Sequence, residues 1–338
     1  MTAADSPAGS GSDTEPDPPG LSAAANELIE AARAGRPRAV ARLITAVENE
    51  SDALRPLMAA LAADTGRAHV IGLTGAPGVG KSTSTAALIG AYRDRGVRVG
   101  VLAFDPSSPF TGGALLGDRV RMQEYALDSG VFIRSMASRG HLGGLSVAAP
   151  QALRVFDAAG CDVVLVETVG VGQSEVEIAA TADSTLVLLA PGMGDGIQAA
   201  KAGVLEIGDI FVVNKADRDG SQALIREIRT MISLADRGPE EWRPPIVRTV
   251  ASAGEGIDEL IGALDNHRSQ AEASGSWQQR RLHRARTEIE ALALATLRRR
   301  VRLQDGTELD RLAAAVRDGG LDVYAAADRL TRAIAASV

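Results

Sequence analysis

The chain has 338 residues, of which 45% are hydrophobic, 23% charged and 3% aromatic, a globular composition sized for one large domain or a main domain with helical additions. Lys and Arg total 36 against 43 Asp and Glu, a net charge of -7, which argues against a polyanion-binding protein and makes nucleic acid a poor partner. Cys161 is alone and His69, His141, His267 and His283 are scattered, so an intramolecular disulfide and a structural Cys/His zinc cluster are excluded and a reducing, cytoplasmic setting fits. No apolar run approaches the roughly 20 residues of a membrane span, and the N-terminus lacks the basic start and apolar core of a signal peptide.

Residues 1–20 hold Asp5, Asp13, Glu15 and Asp17, four prolines and no base, so they contribute -4 of the -7. Such a segment cannot bury enough apolar surface to offset its ordering entropy and reads as a disordered acidic tail. Residues 21–66 are rich in Ala, Leu, Glu and Arg, punctuated by Gly35, Pro37 and Ser51, a pattern that predicts three short helices.

Residues 67–272 alternate helix-like stretches with β-branched runs: HVIGLTG, VRVGVLAFD, VFIRS, DVVLVE, STLVLLAP, DIFVVNK and PIVRTVAS. Strands separated by helices predict a mostly parallel, doubly wound α/β sheet. Strands vanish in residues 273–338. There Leu282, Ala285, Ile289 and Leu292 recur at spacings of three and four, with Leu294, Leu297 and Val301 on an adjoining stripe. That amphipathic helix needs a partner, either the body of its own chain or a second copy. Its arginines, Arg280, Arg281, Arg284, Arg286, Arg298, Arg299, Arg300 and Arg302, read as a solvated face or helix-end charges rather than a nucleic-acid surface.

The strongest motif is Gly75-Ala76-Pro77-Gly78-Val79-Gly80-Lys81-Ser82, followed by Thr83 and lying between a strand and a helix. This is a phosphate loop of a P-loop NTPase: glycines let backbone N–H groups wrap a phosphate, Lys81 reaches the β/γ oxygens and Ser82 ligates Mg²⁺. The run Val163 to Glu167 ends a buried strand in an acid and continues Thr168-Val169-Gly170. Glu167 is placed to hold Mg²⁺ through water or orient the attacking water, and the Gly170 N–H to sense the γ-phosphate. Asp105 ends another apolar strand and is a candidate metal ligand. Asp118 is a further candidate, with a helix N-cap as an equally good explanation.

Asn214-Lys215-Ala216-Asp217 follows four apolar residues. A carboxylate at Asp217 can accept from N1–H and the 2-amino group of guanine, donors that adenine lacks, and buried polar pairing discriminates by up to about 10⁴-fold. Asn214 would bond the base edge and brace the phosphate loop, and the Lys215 stem would cover the ring. Ser252 and Ala253 match the element whose backbone N–H meets guanine O6, although small residues after a strand are also ordinary loop material.

These blocks, together with IRSMASRGHLGGLS at 133–146, ETVGVGQSE at 167–175 and PGMGDGIQAAKAG at 191–203, resemble the MeaB/ArgK family. These are GTPase chaperones of adenosylcobalamin-dependent acyl-CoA mutases, chiefly methylmalonyl-CoA mutase. The resemblance covers about residues 21–338. It implies a GTPase of the signal-recognition and metal-chaperone class, slow alone and stimulated by a mutase whose cofactor loading and repair it gates. It also implies a homodimer through the C-terminal arm, and a switch segment with Gly192, Asp195 and Lys201. Two other readings share the phosphate loop. A metal-delivery GTPase needs Cys or His ligands near the switch, and a P-loop kinase of a small molecule needs an acceptor lid.

Overall fold

The computed structural model describes residues 21–49, 51, 54–106, 122, 124–125, 127–138, 148–167, 174–192, 206–234, 238, 241–303 and 307–335. The three expected N-terminal helices are α1 (Ala23–Arg33), α2 (Pro37–Glu48) and α3 (Leu54–Leu61). Ser22 caps α1 by accepting from the Ala25 N–H, and Pro37 opens α2 at a position whose N–H no helix needs.

All seven β-branched runs are strands: β1 (His69–Thr74), β2 (Val99–Pro106), β3 (Val131–Ser138), β4 (Val163–Glu167), β5 (Ser184–Leu189), β6 (Ile210–Asn214) and β7 (Ile246–Thr249). They form one sheet in the order β3-β2-β4-β1-β5-β6-β7, every pairing parallel. From central β1 the chain steps out to β2 and β3, returns through β4, and then builds the other half outward from β5. Helices α4 (Lys81–Asp94), α5 (Ala148–Ala158), α6 (Ser174–Thr181), α7 (Ser221–Leu234) and α8 (Ile257–Ser274) cover its two faces.

The central strands read as largely apolar runs because alternate residues enter different cores. In β4, Val164 and Val166 join Leu43, Leu61, Phe156 and Ile178 of the helices on one face, while Val163 and Leu165 join Leu88, Ile89, Leu260 and Leu264 on the other. The same alternation in β5 and β6 sends Val187 and Phe211 toward Leu224 and Ile228 of α7. Gly72 has no side chain because a Cβ there would crowd Ile178 and Ala182 of the overlying helix turn.

The C-terminal region is helical as expected: α9 (Ser276–Leu303), α10 (Thr307–Arg317) and α11 (Val323–Ala335). Gly275, left-handed at φ 76°, separates α8 from α9. The body of the chain covers one side of α9, through Trp277, Arg281, Arg284 and Glu288, while the leucine stripe stays uncovered, with Leu282 at 54% and Ile289 at 67% exposure. Among the described residues, no helix is long and apolar enough to cross a membrane.

Candidate functional site

Parallel sheets gather ligand-binding groups at the carboxyl ends of their strands. Here β1 ends in the phosphate loop, β4 in Glu167, and β6 in Asn214. Gly75, Gly78 and Gly80 all have positive φ, and a Cβ on Gly80 would strike the Asn214 carboxamide. The loop therefore follows a path that side chains would block, and delivers the first turn of α4 to its rim.

Lys81 is buried, and its Nζ donates to the carbonyls of Gly75 at 2.7 Å and Ala76 at 3.2 Å. Ser82 Oγ donates to Glu167 Oε1 at 2.6 Å. Glu167 is 2% exposed, so it is not the solvated acid that commonly follows a strand. Ser82 and Glu167 offer hard oxygen donors beside a phosphate loop, a donor set suited to Mg²⁺, which takes one or two protein oxygens plus phosphates and water.

Asn214 ties the two halves of the cleft together. Its Nδ2 donates to the Val79 carbonyl at 2.9 Å, and its Oδ1 accepts from the Ala251 N–H at 3.1 Å and the Thr249 hydroxyl at 3.2 Å. Lys215 has φ 56°, unusual for a residue with a side chain, and this turns its Nζ onto the Gly78 carbonyl at 2.8 Å. Asp217 is exposed at the end of the same turn. Ser252 and Ala253 form a short 3-10 turn closed by left-handed Gly254. An open groove runs from Ser82 and Thr83 along α4 to Ser252 and Gly254, so the phosphate loop and the 250s turn face one cleft.

The fold thus brings together Gly75 to Thr83, Glu167, Asn214, Lys215, Asp217, Ser252 and Ala253 at one edge of the sheet. The backbone of Asp105 lies in β2, paired in register with Ala137. Gly192, left-handed at φ 85°, follows β5 on that edge. Gly170, Asp118, Asp195, Lys201 and His141 lie outside the described residues. Cys161 is buried before the start of β4, at the opposite end of that strand from Glu167, and burial pushes its thiol pKa up. This is the environment of an inert core cysteine rather than a metal-delivery ligand.

The MeaB family model, described as methylmalonyl Co-A mutase-associated GTPase, matches residues 40–305. The chain is a member of the MeaB family. It is therefore a guanine-nucleotide-binding protein and a GTPase. A Pyrococcus abyssi protein provisionally named a GTPase is 47% identical over 313 residues, covering 91% of this chain and 96% of that one. The Escherichia coli GTPase ArgK is 38% identical over 260 residues, covering 75% and 78% respectively. A mouse protein, the mitochondrial methylmalonic aciduria type A homolog, is 39% identical over 208 residues, 61% of this chain and 50% of its own length. A crystal structure described as an LAO/AO transport system kinase superposes with a TM-score of 0.66 at 27% identity, covering 93% of this chain and 99% of that one.

Two features of this MeaB-family chain escape motif reading. Thr85, one turn into α4, donates to the second oxygen of Glu167 at 2.8 Å. At the far end of the sheet, Arg280 grips Asp209 with two bonds of 2.9 and 2.8 Å, and Arg281 and Arg284 both grip Asp183. Burial pushes the Asp209 carboxyl up, but bonds from His267 and Arg280 outweigh it and hold the pKa at about 2. Behind these pairs His69 Nε2, Ser184 Oγ and His267 Nδ1 share hydrogen bonds of 2.8 and 2.7 Å, and Trp277 packs edge-on against His69. Ser184, His267 and Asp209 follow one another in the order of a catalytic triad, but Ser184 is wholly buried, so no substrate reaches it. Arg280, Arg281 and Arg284 thus hold α9 to the body through buried carboxylates, rather than forming the solvated face or helix-end charges expected of that run.

Proposed function

We propose that this MeaB-family GTPase gates cofactor loading of an adenosylcobalamin-dependent acyl-CoA mutase, methylmalonyl-CoA mutase foremost, and protects or reactivates it. The carrying observation is the match of residues 40–305 to a family described by its association with that mutase. A relative named for methylmalonic aciduria adds support. In this reading the nucleotide's phosphates take Lys81 away from the Gly75 and Ala76 carbonyls, and the loop N–H groups with the α4 N-terminus hold the β-phosphate. Ser82 and Glu167, joined by Asp105 and Asp118, would hold Mg²⁺, which when bound would supply charge neutralisation for the transferred phosphoryl group. Asp217 pairs with the guanine edge, Lys215 covers the ring, and the Ser252–Ala253 turn reads O6.

Residues 67–272 form the GTPase domain in this reading, 21–66 its helical preface, and 273–338 a dimerisation arm. The uncovered stripe of Leu282, Ile289, Leu294 and Leu297 has the spacing of a helix-to-helix seam, which supports a homodimer. Gly192, Asp195 and Lys201 belong to the switch that reports nucleotide state to the mutase, and the protein acts in the cytoplasm. The test is the GTP turnover rate alone and with adenosylcobalamin-dependent acyl-CoA mutases, cofactor-free and loaded. Stimulation by one mutase is expected. No stimulation by any of them overturns the chaperone reading and leaves the GTPase without a client.

A further inference from the structure

Ser82 and Thr85 are three residues apart, so both hydroxyls project from one face of α4 toward the end of β4. There they divide the Glu167 carboxylate: Ser82 Oγ meets Oε1 at 2.6 Å and Thr85 Oγ1 meets Oε2 at 2.8 Å. Both Thr85 and Glu167 are enclosed, at 0% and 2% exposure. The Thr85 hydroxyl also lies 3.1 Å from the Lys81 carbonyl, the ordinary back-bond of a helical threonine. A hydroxyl has one proton, and the shorter contact to a carboxylate is the stronger acceptor.

We propose that Thr85 is a positioning residue for the divalent cation of the GTPase site, fixing the plane of the Glu167 carboxylate so that Oε1 stays aligned with Ser82. This rests on the reading of Glu167 as the metal-side carboxylate. The last torsion of a glutamate is intrinsically broad, and register fixes only its backbone, opposite Leu73 of β1 and Ala103 of β2. A bond to Oε2 removes the remaining rotation. The carboxylate is then held in place before the cation arrives, and binding has less ordering left to do.

The test measures GDP affinity of the full chain by calorimetry as a function of free Mg²⁺, with a separate measurement in EDTA. Thr85→Val keeps the shape and removes the hydroxyl, Thr85→Ser restores it, and Thr85→Ala serves as a second deletion should the valine variant not fold. Deleting the hydroxyl is expected to raise the half-saturating Mg²⁺ about tenfold, the scale of one charge-assisted hydrogen bond. Thr85→Ser returns it to the parent value, and affinity in EDTA stays constant throughout. A structural role alone would lower melting temperature and EDTA affinity without moving the Mg²⁺ midpoint, and that result overturns the proposal. Glu167→Gln separates the two layers. If it moves the midpoint and the Thr85 deletions do not, only the positioning role fails; if it leaves the midpoint unchanged, the metal reading of Glu167 fails and the proposal with it.

Discussion

Removing the Asn214 carboxamide tests the architecture of the cleft, with its expected bond to the base edge read separately through nucleotide affinity. Asn214→Ala deletes the bonds to Val79, Thr249 and Ala251. The Val79 carbonyl and the Ala251 N–H are then left unpaired among buried residues, at about 1–3 kcal/mol each. The Thr249 hydroxyl can turn to another acceptor and adds little. Water entering from the adjoining groove recovers part of the loss, which points to about 3 kcal/mol. For a chain of this size that lowers the melting temperature by about 4 °C. Asn214→Asp sharpens the test: it keeps the acceptor for Ala251 but sets a carboxylate oxygen against the Val79 carbonyl, so it should destabilise at least as much. Thermal unfolding followed by circular dichroism, paired with GDP affinity, reads both effects. Melting within about 2 °C of the parent for both variants would refute the idea that this side chain braces the phosphate loop against the 250s turn.

Asp217→Asn should weaken GTP binding and admit xanthosine triphosphate, because the hydrogen-bond pattern reverses; unchanged GTP affinity removes the base assignment. Lys81→Ala should abolish turnover by removing a phosphate-stabilising charge, checked by phosphate release. Burial lowers the His69 pKa from 6.5 to about 4, with Asp183, Arg268 and Arg281 as its charged neighbours and His267 sharing the Ser184 hydroxyl with it. The unfolded chain therefore binds a proton that the folded chain refuses, and about 3 kcal/mol of stability is lost as pH falls from 6.5 to 4. His69→Gln should flatten denaturation midpoints across that window. Under the homodimer proposal, Ile289→Glu, on a residue 67% exposed, should give a monomer by light scattering; a dimeric mass in this variant moves the proposed interface elsewhere.

The central strands β1, β4, β5 and β6 were legible because both faces are buried, which writes each as a largely apolar run, while edge strand β7 kept only a short one beside exposed Arg248. Their spatial order was not, since nothing local in β4 states that it inserts between β2 and β1. The phosphate loop and the Asn214 turn were legible for a related reason: both depend on backbone paths, at Gly80 and Lys215, that follow from short contiguous text. The Asn214 brace was foreseen toward the phosphate loop, but its grip on Ala251 depends on how β6 and β7 pair. Thr85 reaches Glu167 across 82 residues of sequence, and a lone threonine inside a helix carries no local mark of that contact. The Asp183 and Asp209 pairs with Arg280, Arg281 and Arg284 were hidden the same way, and the arginines look like a charged surface until their partners are placed.

Helix α9 has 28 residues, a length of about 42 Å at 1.5 Å per residue, and among the described residues its bonds to the body lie in its first half. Its root rests on Asp183 and Asp209, which directly precede β5 and β6, and on the carbonyl of Ala68 just before β1. The other ends of those strands carry the phosphate loop, Gly192 and Asn214. A tilt of about 5° at such a root carries the far end of the helix about 4 Å over that length, comparable to the spacing of neighbouring side chains on a helix. A shift too small to break any ion pair at the base is therefore large enough to change which residues of the arm meet another surface.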